Sequence, residues 1–305
     1  MDDERLPNDA RPRCGASIDR RQFVAGASLI LAGASLAPFA WSVEPPAAER
    51  TARAVDDPSV EHGIVALRRG DAHIDGYLAR PKRKGTFPGV VIIPGNWLIE
   101  PYIGEFAAQL AQSGFVALAV DVYSQFPKVK TWAEAQAVPW EETQKIIREQ
   151  WTDDGMLKDV KAGVEYLREQ EYVSPKKVGI SGFCGGGWNA ILFTIDNPDL
   201  VAAVVPFYAP PDAAERFDRP RSVLAVIDKL AVPLQAHYGT RDQNFTMEDV
   251  ERFRFAVSKL DVATEVHLYD ADHGFMAYNR EQRYVPEAAN LALARMVEFL
   301  RHHVK

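Results

Sequence analysis

Residues 89–95, "GVVIIPG", and residues 115–121, "FVALAVD", carry unbroken apolar runs where a half-exposed strand would alternate. Continuous runs of this length fit strands covered on both faces, as in a parallel sheet. Between them, residues 103–113 have helical spacing and stop at Gly114, a residue suited to a helix C-terminus. That is a β-α-β unit, and the alternation continues. Further strands are predicted at 178–181, 202–207, 234–238 and 264–269, and helices at 153–170, 187–197, 246–259 and 286–303. The expected class is therefore α/β, with a doubly wound, mostly parallel sheet and right-handed crossovers. In such a sheet the functional groups gather at the carboxyl ends of the strands. Upstream, "HGIVALRRGDAHIDGYLARP" holds two short apolar runs about the charged turn Arg68 to Asp71, which predicts an N-terminal antiparallel hairpin. Residues 123–152, with Trp132, Trp140 and Trp151 among many charges, fit the scheme least and read as a helical insertion near the site.

At 305 residues and 47% hydrophobic, the chain can bury one large core. Its net charge of −7 comes with scattered basic residues, so nucleic acid is not expected as a partner and a small molecule is. Residues 1–41 read as a twin-arginine-type signal: Arg20 and Arg21 precede Gln22, Phe23 and Val24 and an uncharged stretch to Ala40. The competing reading is a membrane anchor, but Gly26, Gly33 and Pro38 interrupt the run and leave it weak for a span. Residues 42–57 form a Pro- and Ala-rich linker, and 58–305 a single domain. Engagement of the twin-arginine export machinery, and a periplasmic or extracellular location, are the corresponding expectations. An uncleaved signal would leave the protein membrane-anchored.

Only two cysteines are present, and Cys14 would leave with the signal. Cys184 then has no partner for an intramolecular disulfide and must be buried or used. It stands in "GISGFCGGGWNA", in the form G-x-C-x-G (Gly182, Cys184, Gly186), directly after a predicted strand and before a helix. This is the context of a nucleophile elbow, where flanking glycines avoid collisions in a strained turn. A helix start also offers backbone N–H groups and positive dipole to the sulfur, favouring thiolate. Two plainer readings are a small residue packed in a glycine-rich turn and a phosphate-cradling loop. The second lacks the G-x-x-x-x-G-K-[ST] pattern.

A nucleophilic thiol needs a base, and the base an orienting acid. Five histidines follow Cys184. His237 and His267 fall inside predicted strands, and His302 and His303 end the last helix, where a cation suits the dipole. His273, in "YDADHGFMAY", lies in a loop past a strand end, with Gly274 permitting a tight turn. For the acid, Asp242 in "HYGTRDQNF" sits just beyond another strand end. Asp270 and Asp272 compete, but they share the histidine's own short loop. They also raise a metal cluster, for which no second His or Cys stands at ligand spacing. No metal or other cofactor is expected. The chain order nucleophile, acid, histidine is that of α/β-hydrolases.

With "GISGFCGGGWNA", "YGTRDQNF", "YDADHGFMAY" and "PGVVIIPGNWLIEPYIGEFAAQLAQSGFVALAVDVYS", the chain resembles the dienelactone hydrolase family over roughly residues 60–303. The resemblance implies an α/β-hydrolase fold and hydrolysis of an ester or lactone by carboxymethylenebutenolidase-type chemistry. It further implies Cys184 as nucleophile, His273 as base and then acid, Asp242 as its partner, and the amides of Asn96 and Gly185 as oxyanion hole. Departures are visible. A glutamate that governs the thiol's protonation in many members falls here on Gly95. Where the dienelactone-cleaving enzyme has an arginine for the substrate carboxylate, four residues after the histidine, this chain has Ala277. Arg280 nearby is the candidate substitute, with Arg148 or Lys145 of the insertion as alternatives, and Trp97 and Trp188 are further substrate-binding candidates. Two other classes stand beside the hydrolase: a non-catalytic ligand-binding protein on the same scaffold, lined by these tryptophans, and a redox thiol, which lacks a resolving cysteine.

Overall fold

The computed structural model describes residues 53–95, 100–123, 153–212 and 221–305. The signal and most of the linker, the insertion, Asn96 and Trp97 lie outside them. The predicted hairpin forms from β1 (Val60–Arg69) and β2 (Ala72–Pro81), antiparallel about Gly70, whose φ of 58° suits a residue without Cβ. The chain then lays down β3 (Gly89–Ile93), α1 (Pro101–Gln112), β4 (Val116–Val120), α2 (Asp153–Glu169) and β5 (Val178–Phe183). It continues through α3 (Gly185–Asp196), β6 (Val201–Phe207), β7 (Leu234–Gly239), α4 (Met247–Val257), β8 (Thr264–Tyr269) and α5 (Pro286–His303). The eight strands form one sheet in the order β1-β2-β4-β3-β5-β6-β7-β8. From β4 to β8 every pairing is parallel, while β2 joins β4 antiparallel. This is the α/β-hydrolase arrangement.

Local causes are legible in each element. Every residue of β3 and β4 is buried, as their unbroken apolar runs require of strands covered on both faces. Helix α1 starts with Pro101, whose fixed φ suits a first turn, and ends before Gly114 at φ 94°. Helix α4 is opened by a capping box in which Thr246 and Asp249 satisfy each other's backbone N–H. Arg69 reaches Asp159 of α2 at 2.6 Å and so ties the hairpin to the helical layer. Burial outweighs that guanidinium and pushes the Asp159 carboxyl up to about 7.

The strand order places the site. From β3 the chain crosses to β4 on one side, then returns past β3 to β5 on the other. Neighbouring loops at β3 and β5 therefore diverge and leave a crevice at the carboxyl edge. Cys184 follows β5 at that point.

Candidate active site

The elbow is built by sterics. Cys184 has φ 53° and ψ −123°, a left-handed backbone conformation that is strained for a residue with a Cβ. Its amide donates to the Phe207 carbonyl at 3.0 Å, and its own carbonyl accepts from Gly187 and Trp188 at 3.0 and 3.2 Å. The turn is so tight that a Cβ at Gly182 would stand 2.3 Å from the Gly186 oxygen, and one at Gly186 would stand 2.1 Å from the Pro94 oxygen. Both glycines of the G-x-C-x-G pattern are thus obligatory, and Gly186 locks the elbow against the end of β3. Gly186→Ala is expected to lower Tm by about 3–10 °C, from about 1–3 kcal/mol of overpacking. An unchanged melting curve would contradict this packing.

Cys184 is half-buried and free of any disulfide. His273 comes from the loop after β8 and Asp242 from the loop after β7, so three strand ends converge as the sheet order dictates. His273 Nδ1 lies 2.7 Å from Asp242 Oδ2, and the imidazole also hydrogen-bonds the Cys184 thiol. With Nδ1 engaged by the carboxylate, the nitrogen facing sulfur is Nε2. Asp242 is fixed in turn, its Oδ1 accepting the Asn244 N–H at 2.9 Å. The two competing aspartates turn elsewhere: Asp272 accepts the backbone N–H of His273 at 2.6 Å, and Asp270 pairs with Arg241 at 3.3 Å in solvent. Gly274, at φ 81°, makes the tight turn that follows the histidine.

Electrostatics follow from this geometry. Burial alone would push the Cys184 thiol up, but the His273 charge, its hydrogen bond and the Gly185 N–H outweigh burial and hold the thiol below its ordinary value. Burial likewise opposes charge on His273, yet the sulfur and Asp242 raise it to about 9. Both shifts favour a thiolate beside an imidazolium.

Beneath the site runs a ladder of rings in cross-strand register: Phe183, Phe207, His237 and His267, on β5, β6, β7 and β8. Successive ring centroids are 5.1, 4.5 and 5.4 Å apart and stacked. His237 is wholly buried, with Nδ1 at 2.8 Å from the Tyr269 hydroxyl and Nε2 at 3.1 Å from Gln235 Oε1. Burial pushes its pKa well down, so it stays neutral as a rung of the core.

The remaining sequence candidates fare differently. Trp188 is 1% exposed in the first turns of α3 and belongs to the hydrophobic core. Arg280 is held by Glu100, with Nη2 at 2.7 Å and Nε at 3.2 Å from the two carboxylate oxygens. Its charge is shared with that buried carboxylate. Gly95 does sit beside Cys184: a Cβ there would be 3.6 Å from Cys184 Cβ. A carboxylate at this position would crowd the thiol, and none is there. Tyr123 steadies the same turn, its hydroxyl donating to the Gly95 carbonyl at 2.9 Å. Two further residues escaped sequence reading, Tyr102 of α1 and Tyr208 after β6. The Tyr208 ring packs edge-on against His273 with centroids 4.9 Å apart. Among the described residues no cluster of three His, Cys, Asp or Glu could hold a metal ion.

Residues 74–304 match the dienelactone hydrolase family. The chain belongs to that family. It is 32% identical over 232 residues to a Bradyrhizobium protein named "Probable 2-oxo-3-(5-oxofuran-2-ylidene)propanoate lactonase", covering 75% of this chain and 89% of that one. It is 31% identical over 247 residues to "Protein usf" of Aquifex pyrophilus, covering 78% of this chain and 98% of the relative. A solved Klebsiella pneumoniae structure, "Putative Dienelactone Hydrolase", superposes with a TM-score of 0.72 over 80% of this chain and 99% of that chain, at 23% identity. At that identity the superposition speaks for the fold alone. The family and its relatives make this chain a hydrolase of ester or lactone bonds.

Proposed function

We propose that this dienelactone hydrolase family member cleaves its ester or lactone through a thioester on Cys184. The observation that carries the reading is the single imidazole of His273, bonded on one side to Asp242 at 2.7 Å and on the other to the Cys184 thiol. The Cys184 thiolate attacks the carbonyl carbon, forming a C–S bond while the carbonyl oxygen takes the negative charge. Amides at the elbow, Gly185 and by resemblance Asn96, receive that oxyanion. Collapse breaks the C–O bond, and His273 gives its proton to the departing oxygen. His273, now neutral, takes a proton from water as the hydroxide attacks the thioester. The C–S bond breaks, the acid leaves and the thiolate is restored. A lactone yields a single hydroxy acid.

The substrate class follows from charge. Ala277 stands where the carboxylate-binding arginine would be, and Arg280 is already paired with Glu100. With neither of these positions, among the described residues, offering a carboxylate its own cation, the reading is a neutral lactone or ester. It is tested by turnover of a panel of aryl esters and five-membered lactones, each with and without an added carboxylate. Neutral members are expected to have kcat/KM at least about 10-fold higher, since burying an unpaired carboxylate is costly. No turnover of any member would overturn the reading. The arginine pair at Arg20 and Arg21 supports the further proposal of export before function, tested by a shift in cell fraction on Arg20→Lys with Arg21→Lys.

A further inference from the structure

Tyr208 has two features that packing does not explain. Its φ is 36°, a left-handed conformation costly for a bulky side chain, and it shares this property only with Cys184 among the described non-glycine residues. The two strained residues are neighbours at adjacent strand ends, since the Cys184 amide donates to the carbonyl of Phe207, immediately before Tyr208. The Tyr208 amide in turn donates to the His237 carbonyl at 2.7 Å, which holds the strained turn in place.

The second feature is the hydroxyl. Tyr208 is 2% exposed, yet its hydroxyl makes no well-aligned hydrogen bond. It lies against the hydroxyl of Tyr102, which α1 carries in directly after the β3 loop. The ring packs edge-on against His273 and Phe275, with centroids 4.9 and 5.5 Å away. Both phenols are held well above their ordinary value, through burial first, then for Tyr208 the neighbouring Tyr102 phenol and its hydrogen bond, and for Tyr102 the charge of Glu100. Each therefore keeps its proton and remains a donor. A phenylalanine would fill the same space without burying an underused polar group, whose burial is ordinarily avoided.

We propose that the Tyr208 hydroxyl donates a further hydrogen bond to the substrate's carbonyl oxygen as it becomes an oxyanion, an inference that rests on Cys184 being the nucleophile. Its proton rests against the Tyr102 hydroxyl in a poorly aligned contact and would turn to the charge that appears only during acyl transfer. Tyr102, itself buried on α1, is the neighbour that the hydroxyl leaves when it turns to the oxyanion.

The test compares two reactions of one sulfur in Tyr208→Phe. Acylation by an activated aryl ester passes through an oxyanion; alkylation by iodoacetamide does not. Acylation of Cys184, followed by mass, is expected to slow about 10- to 100-fold, in keeping with loss of one oxyanion donor. Alkylation at the same pH should stay within about twofold, with Tm unchanged, because no well-formed bond is lost. Tyr102→Phe should lose less acylation than Tyr208→Phe. Unchanged acylation in Tyr208→Phe overturns the proposal. So does an equal fall in both reactions, which would place the hydroxyl's effect on the sulfur or the fold, or a larger loss from Tyr102→Phe. If wild-type Cys184 is alkylated but never acylated while turnover proceeds, the thioester reading falls first and this inference with it.

Discussion

Cys184→Ala is expected to lower kcat on an aryl ester by about 10⁴- to 10⁶-fold while leaving the fold intact, the range seen when a triad nucleophile is removed. The fold should survive because alanine retains the Cβ and asks nothing new of the strained backbone at φ 53°. The sulfur is also half-buried at a rim and is not a core residue. Loss of the thiolate leaves His273 and Asp242 in place, able to activate water but with no acyl acceptor. Only the residual catalysis of binding and oxyanion stabilisation remains. Circular dichroism and Tm check the fold, and initial rates check the loss. A variant that keeps a tenth of wild-type kcat would show that the sulfur is not the nucleophile.

The second large effect belongs to His273→Asn, and it has a pH signature as well as a magnitude. In the wild type the thiol is held low and the imidazole high, at about 9, so the ion pair exists between the two values. Acylation should rise as the thiol ionises, below its ordinary value, and fall again through about 9, where the imidazolium loses the proton owed to the leaving group. Asparagine removes the charge that countered burial at the sulfur, and burial then pushes the thiol up. Thiolate becomes scarce at neutral pH. The alkylation rate of Cys184 by iodoacetamide at pH 7 is expected to drop by at least about 10-fold, and kcat by about 10³-fold or more. The descending limb near 9 should vanish from the pH–rate profile. An alkylation profile identical to wild type would mean that His273 does not ionise the sulfur. Relatives that carry a glutamate where this chain has Gly95 have a second group acting on the thiol. With none there, ionisation here leans on the histidine.

Fold and triad were legible to different depths, for physical reasons. Strands β3 and β4 announced themselves because a doubly covered strand leaves no room for polar residues, and residues 286–303 because Pro286 and the apolar period marked the helix end to end. The G-x-C-x-G pattern was readable because its glycines answer a collision, with no space for a Cβ at Gly182 or Gly186. His273 could be separated from His237 because one lies past a strand end and the other within a strand. What stayed hidden depends on where distant strands and loops meet. Glu100 and Arg280 are 180 positions apart, and only the folded chain shows that the cation is already taken. Trp188 in a motif next to the nucleophile looked like a pocket wall, but helix α3 turns it into the protein. The positive φ of Tyr208 has no sequence signature, since tyrosine does not favour it. It is imposed by the β6–β7 contact through the His237 carbonyl.

The central claim is that acyl groups pass through the Cys184 sulfur. Wild-type protein mixed with an activated ester, quenched within the first turnover and digested, should show the acyl mass on the peptide containing Cys184, lost with time and absent in Cys184→Ala. Hydrolysis that proceeds at full rate with no acyl mass on that peptide at any quench time would contradict it.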